Sequence, residues 1–306
     1  MNKLQDIFAC PVCKSKLIEQ YCGTCKISFP KDVVSSFICK EMYPSEQLYI
    51  EAKRVIDFWG NGWSKRLEEP DHKFLYALDA DGLKDYADQS LAICKSSKSL
   101  MAEVPVLCLS GAVVLNIGCG AGTEAVILAR GGASCIAMDI TSPAAVATDS
   151  LLRKFGCGEG IQGDARFIPL EKESVDFVYS SGVLHHSTDL PKSIAEIHRV
   201  LKPGGVAYIM LYATWSITFL QEKIFHWAGE KAWETEGRKN PCTTTYSVAE
   251  CKELFSEFES VSISKSNASL RNFAKIGKFL PTIFDGYINE PLGANLNIVA
   301  KKTILS

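Results

Sequence analysis

Residues 113–125, VVLNIGCGAGTEA, decide the fold of this 306-residue chain. The first five, VVLNI, are almost all apolar, as in a strand that is buried on both faces of a parallel sheet. The glycine turn GCGAG follows at 118–122, and the next eight residues have the pattern of a helix that ends at Gly131. A strand, a glycine turn and a helix in this order predict a site where a ligand lies against a backbone without side chains.

The spacing of the glycines indicates the kind of cofactor. The dinucleotide fingerprint G-x-G-x-x-G would need its third glycine at position 123, where Thr123 stands. The glycines of this turn are Gly118, Gly120 and Gly122, which gives G-x-G-x-G. The turn therefore does not match the dinucleotide fingerprint.

Four further segments follow at regular spacing. A second strand, 135–138, ends in Asp139, 21 residues after Gly118, where a carboxylate suits the two hydroxyls of a ribose. A third strand ends at Asp164. A fourth, 174–181, leads into GVLHH at 182–186, and LKPGG at 201–205 opens a fifth strand that runs to Tyr212.

Taken in order, these segments resemble the class I S-adenosylmethionine-dependent methyltransferases over roughly residues 111–214. The resemblance implies an α/β fold with a doubly wound, mostly parallel seven-stranded sheet of the Rossmann-like methyltransferase type. It also implies that S-adenosyl-L-methionine lies against ten residues: Asn116, Gly118, Cys119, Gly120, Gly122, Asp139, Ile140, Asp164, Ala165 and Ser180. Asn116 departs from the family, which usually has Asp or Glu there; the amide keeps hydrogen bonds but carries no charge.

His185 and His186 are the candidate catalytic residues. In relatives this loop lies beside the methyl group, and imidazole titrates near neutral pH, as a general base should. The alternative is that the pair caps the next helix or packs structurally.

Four cysteines near the N-terminus predict a metal site. Cys10 and Cys13 form one C-x-x-C pair, Cys22 and Cys25 a second, and together they can close a tetrahedral shell around a structural Zn²⁺. Redox pairs or disulfides are the alternatives. The segment resembles the short zinc ribbons that precede some methyltransferase domains, including ribosomal-RNA guanine methyltransferases in which the ribbon helps to hold RNA.

The remaining pattern predicts three parts: a zinc ribbon at 1–40, a helical connecting or cap region at 41–110, and the methyltransferase domain at 111–306. In the second part, an amphipathic helix over 45–59 should break at Gly60. The domain should hold an aromatic insert at about 213–246, then a helix from Ser247 and closing strands over 261–264 and 296–301. All five tryptophans flank the cofactor segments: Trp59, Trp63, Trp215, Trp227 and Trp233.

Composition bounds the partners and the compartment. A net charge of −2 gives no global electrostatic case for nucleic acid. Twelve cysteines without a signal-like N-terminus favour reduced thiols and a cytoplasmic protein. The longest apolar stretch, 206–220, is too short for a transmembrane segment.

Three functions remain open from the sequence. The first is methyl transfer to a small-molecule acceptor, supported by the ordered motifs, the near-neutral charge and the aromatic flanks. The second is an RNA methyltransferase, ribosomal or transfer, that uses the ribbon to hold RNA. The third is a non-catalytic scaffold, for which Asn116 would mark a weakened cofactor site.

Overall fold

The computed structural model describes residues 4–97, 99–216, 242–268 and 291–304. Its strands in chain order are β1 Tyr21–Cys22, β2 Ile27–Ser28, β3 Ser35–Ser36, β4 Val113–Ile117, β5 Ser134–Asp139, β6 Gly158–Gln162, β7 Val175–Ser181, β8 Leu201–Tyr212, β9 Ser260–Ser266 and β10 Asn295–Lys301. Its α-helices are α1 Glu46–Arg66, α2 Pro70–Ala77, α3 Ala80–Ser97, α4 Thr123–Arg130, α5 Ser142–Phe155, α6 Leu190–Val200 and α7 Val248–Leu254. Short 3₁₀ turns connect several of them.

The central sheet has the order β3-β6-β5-β4-β7-β8-β10-β9. Neighbouring strands from β3 to β8 are parallel, and β10 runs antiparallel to both β8 and β9. The predicted α/β, mostly parallel sheet is confirmed. The described residues add one strand to the predicted seven, because the two-residue β3 pairs with the outer edge of β6 and covers backbone groups that would otherwise stay unpaired.

Helix α1 differs from its prediction. The sequence predicted a helix over 45–59 that breaks at Gly60, whereas α1 continues through Gly60 and Gly62 to Arg66. Each glycine costs a helix about 1 kcal/mol relative to alanine, so two can be tolerated where packing stabilises the helix. That packing comes from Trp59 and Trp63, one turn apart on the face that lines the central cleft.

The N-terminal segment packs into the core of the sheet. β1 and β2 form a small antiparallel hairpin, and Phe8 and Phe37 share one buried cluster with Met138 and Ile161 of the sheet. Backbone bonds join the segment to the loop after β6: the N–H of Ala9 donates to the Pro169 oxygen at 3.0 Å. The apolar residues of the ribbon are therefore part of the same hydrophobic core as the sheet.

The C-terminal part follows the predicted order. Ser247 caps α7 in a capping box with Glu250, and β9 and β10 close the sheet. Most of the predicted aromatic insert, including Trp227 and Trp233, lies outside the described residues; Trp215 is described and 62% exposed. The three domain boundaries stay a prediction. Among the helices that the structure describes, none is long and apolar enough to cross a membrane.

Candidate active site and metal centre

The glycine turn lies between β4 and α4 and leaves no room for side chains. Gly118 has φ +73°, and a Cβ there would come within 2.1 Å of the Val183 side chain. Gly120 has φ +52°, and its Cβ would come within 2.6 Å of the Trp63 ring. Both positions combine the left-handed backbone region with close packing, so they require glycine.

Asp139 is the last residue of β5, the strand next to β4, and its carboxylate contacts the glycine turn. Its Oδ2 accepts from the Gly120 N–H at 3.1 Å, and its Oδ1 accepts from the N–H and hydroxyl of Thr141 at 2.9 and 2.8 Å. Burial raises the pKa of Asp139, and the N–H groups of Thr141 and Gly120 act in the opposite direction. All of these partners are neutral. Among the residues that the structure describes, no cation pairs with this carboxylate.

Asp164 has a different set of partners. Its carboxylate receives the N–H, Nε and Nη2 of Arg166, the last at 2.6 Å, and the hydroxyl of Tyr43 at 3.0 Å. Arg166 also donates from Nη1 to the Thr188 hydroxyl. Tyr43 and Arg166 are site residues that the sequence reasoning missed. Arg166 stands two positions after Asp164 and could have been noticed; nothing in the local sequence connects Tyr43 to this site.

Two further predicted cofactor residues keep a polar atom unpaired among the described residues. Asn116 is 2% exposed; its Nδ2 donates to the Tyr179 oxygen at 3.4 Å, and its Oδ1 has no partner. The Ser180 hydroxyl is also buried without a partner. Buried polar groups in native proteins are nearly always satisfied, so these two atoms fit a polar ligand that the structure does not contain.

The two candidate histidines lie in different surroundings. His186 lines the cleft, and its Nδ1 donates to the Cys242 oxygen at 3.0 Å. Burial lowers the pKa of His186, while that hydrogen bond raises it. His185 is fully buried and stacks on the Tyr212 ring at 3.7 Å, with both ring nitrogens unpaired among the described residues. Burial, with the neighbouring His186, holds the pKa of His185 well below 6.5.

One cleft brings six of the twelve predicted site residues together. It is lined by Gly118, Asp139, Ile140, Asp164, Ala165 and His186 among the predicted residues, and by Val55, Trp59, Trp63, Arg166, Val183 and Thr188 among the others. Asn116, Cys119, Gly120, Gly122, Ser180 and His185 are not part of that lining. Cys119 is buried, with its thiol directed toward the Ala144 oxygen.

Helix α1 forms one wall of this cleft. Val55, Trp59 and Trp63 project from it, and the Trp59 ring lies 5.0 Å from the His186 ring. Since Trp63 also packs on Gly120, the helix covers the glycine turn.

The four predicted metal ligands converge at the base of the N-terminal hairpin. The sulfur atoms of Cys10, Cys13, Cys22 and Cys25 all lie within 4.8 Å of one another. The separations of 4.0 Å for Cys10–Cys25 and 3.5 Å for Cys13–Cys22 bracket the distance of about 3.8 Å expected around tetrahedral Zn²⁺. None of the twelve cysteines forms a disulfide. The donor set fits a closed, structural zinc site.

Comparison with known proteins gives the family. Residues 115–209 match a family described as "Methyltransferase domain". Malonyl-[acyl-carrier protein] O-methyltransferase of Serratia marcescens is 31% identical over 112 residues, which cover 37% of this chain and 42% of that protein. Ribosomal RNA small subunit methyltransferase C of Alcanivorax borkumensis is 34% identical over 102 residues, with 32% and 31% covered. The chain spans less than half the length of the curated relatives it matches.

A solved structure shares the fold. The Thermotoga maritima protein described as a SAM-dependent methyltransferase, possible histamine N-methyltransferase, aligns with a TM-score of 0.51 at 18% identity, over 82% of this chain and 100% of that one. At this identity the likeness concerns the fold alone. The matched segment runs from β4 into β8 and carries the glycine turn, both aspartates and the histidine pair. The chain therefore contains a methyltransferase domain, and its sheet has the Rossmann-like fold of the class I S-adenosylmethionine-dependent methyltransferases.

Proposed function

We propose that this protein transfers the methyl group of S-adenosyl-L-methionine to a small-molecule acceptor bound in the cleft beneath α1. The observation that carries the proposal is the cleft itself, which joins the glycine turn, both strand-end aspartates and His186 under a wall of tryptophans. The largely apolar lining of this cleft suits a small acceptor that is flat or partly apolar.

Cofactor binding is assigned to the chain's own polar groups. Asp139 would accept from the ribose hydroxyls. The Oδ1 of Asn116 and the hydroxyl of Ser180 are buried and lie outside the cleft lining, so they would contact the polar methionine end only after a local shift of the chain around them. When bound, S-adenosylmethionine supplies a methyl group on a sulfonium, whose leaving group is a neutral thioether. The protein then has to align the acceptor with that carbon, and orientation alone can contribute about 7–11 kcal/mol.

His186 is our candidate for the proton acceptor. Its Nδ1 donates to a carbonyl oxygen, so Nδ1 carries the proton and Nε2 is the basic atom of the neutral ring. Its lowered pKa keeps the ring neutral at pH 7, as a base requires. His185, sealed behind it against Tyr212, would support the position of His186 rather than contact the acceptor.

The relatives include enzymes named for a malonyl group on a carrier protein and for ribosomal RNA, so both acceptor classes enter the test. The way the ribbon packs favours a small-molecule acceptor over RNA. One face of the ribbon is buried against the sheet, and Lys14 pairs with Glu196 of α6 at 2.7 Å instead of being available to a phosphate.

The deciding experiment supplies methyl-labelled S-adenosylmethionine to the purified protein, with bulk RNA or with a metabolite extract from the source cells. We expect label in the metabolite fraction and none in RNA. Transfer to RNA that falls steeply with salt would instead make the ribbon a substrate-binding element.

We also propose that the four-cysteine cluster holds one Zn²⁺ with a structural role. We expect one zinc per chain by elemental analysis, and none in Cys22→Ser, which should also unfold at a lower temperature because metal binding contributes directly to folding. Cys108→Ser, at an exposed thiol, is the matched control and should keep its metal. Equal zinc in both variants would contradict the assignment.

A further inference from the structure

The carboxylate of Asp164 is fully occupied by the protein itself. An ionised carboxylate has about four acceptor sites. Arg166 fills three of them with its N–H, Nε and Nη2, and the hydroxyl of Tyr43 fills the fourth. Asp164 is 2% exposed, and together with Arg166 it lines the cleft. A ligand that donates a hydrogen bond to Asp164 must therefore displace one of these donors.

The donors differ in how costly they are to remove. Arg166 is charged, buried and bidentate, so separating it from Asp164 would leave a buried charge unpaired, which is strongly unfavourable. The Tyr43 hydroxyl is neutral, and the hydrogen bond that it donates is much less costly to give up. Burial and the charge of Asp164 raise the pKa of Tyr43, so the group remains a donor throughout the neutral range.

Tyr43 belongs to the segment that connects the ribbon to α1. It follows a 3₁₀ turn over Lys40–Met42, and its ring lies edge-on to Phe167 at 5.4 Å. Its ring also packs on Tyr49 of α1 at 5.6 Å. Through its hydroxyl, Tyr43 connects this segment to Asp164, which lines the cleft.

We propose that Tyr43 is a specificity-determining residue at the adenine end of the cleft: its hydroxyl holds the site on Asp164 that the adenine amine takes when the cofactor binds. This inference rests on the proposed function, since it takes the cofactor to be S-adenosylmethionine with its amine at Asp164. An unsubstituted purine has hydrogen in place of that amine and an N1 that only accepts, so it has no donor for that exchange. The Tyr43 hydroxyl then stays on Asp164.

The test is a thermodynamic cycle with two ligands and two proteins. S-adenosylhomocysteine carries the amine, and its purine-riboside analogue has a hydrogen atom in that place. For the wild type and Tyr43→Phe, dissociation constants are measured by calorimetry. We expect Tyr43→Phe to bind S-adenosylhomocysteine about three- to tenfold more tightly, because no hydrogen bond has to be broken, and to bind the purine-riboside analogue unchanged.

Tyr49→Phe is the matched control, and both dissociation constants should stay at the wild-type values. Weaker binding of S-adenosylhomocysteine by Tyr43→Phe, or an equal change for both ligands, would overturn the proposal while leaving the proposed function intact. Failure of the wild type to bind S-adenosylhomocysteine would overturn the proposed function first, so the two failures are distinguishable.

A second measurement needs no variant. Amide hydrogen exchange of residues 40–46 in the wild type should increase with S-adenosylhomocysteine and stay unchanged with its purine-riboside analogue, because only the first ligand releases Tyr43. Equal exchange with both ligands would contradict the exchange of donors on Asp164.

Discussion

Asp139 and Asp164 line the same cleft, and each stands where a strand of the parallel sheet ends, yet their partners differ in charge. Asp139 accepts from neutral N–H and hydroxyl groups of Gly120 and Thr141. Asp164 is paired with the guanidinium of Arg166. Two carboxylates in equivalent topological places can therefore serve different ends. The charge of Asp139 is left for a ligand, and the charge of Asp164 is matched inside the protein.

The largest expected effect comes from breaking the Asp164 pair. Arg166→Met removes the cation and leaves a buried carboxylate, which should lower the free energy of unfolding by about 3–5 kcal/mol. Urea denaturation measures this loss. The double variant Arg166→Met, Asp164→Asn should recover part of the stability, since no unpaired charge remains. A loss below about 1 kcal/mol in the single variant would contradict the structural role of the pair.

The next effect concerns the other carboxylate. Asp139→Asn should weaken binding of S-adenosylhomocysteine about ten- to a hundredfold, because hydrogen bonds to a charged group contribute about 1.5–3 kcal/mol. Its free energy of unfolding should change less than that of Arg166→Met. Asp176→Asn is the control: that carboxylate pairs with Lys202 and is not among the cleft-lining residues, so binding should be unchanged. If Asp139→Asn lost stability but kept its affinity for S-adenosylhomocysteine, Asp139 would be the structural carboxylate and the contrast with Asp164 would fail.

The sequence could predict the places of both aspartates but only part of their surroundings. Strand periodicity and the offset from the glycine turn put Asp139 and Asp164 at strand ends, and the structure has them there. The Tyr43 contact spans 121 residues of sequence separation, which no local pattern encodes. The same holds for β3, whose two residues pair with β6 only because the ribbon packs on the sheet edge. Helix α1 continues past its predicted end at Gly60 because tertiary packing overrides the weak local preference of glycine against helix.

The two histidines also differ in their surroundings: His186 lines the cleft, and His185 is buried behind it. The effect expected from them is smaller. The pKa of each is lowered by burial, so between the folded and unfolded values the unfolded chain binds more protons. The stability that comes from keeping these two rings neutral is therefore fully present above the unfolded pKa of about 6.5, and it is lost as the pH falls below that value. The melting temperature should fall between pH 7.5 and 5.5, and His185→Phe should reduce that slope. An unchanged slope would show that His185 does not contribute.

Methyl transfer should depend on pH through His186 alone. As a base it must be neutral, and burial lowers its pKa from the ordinary value, so the rate should be flat between pH 7 and 8 and start to fall only at a pH below about 6.5. His186→Gln should lower the rate and remove that acid limb, and His185→Phe should keep the limb. An acid limb that survives in His186→Gln would assign it to another group.

A crystal structure with S-adenosylhomocysteine bound tests the account most directly. We predict the ribose hydroxyls within hydrogen-bond distance of Asp139, the adenine against Ala165, and the Tyr43 hydroxyl no longer bonded to Asp164, with Arg166 still in place. The ligand bound outside this cleft, or a ribose that does not contact Asp139, would contradict the assignment of the cofactor site.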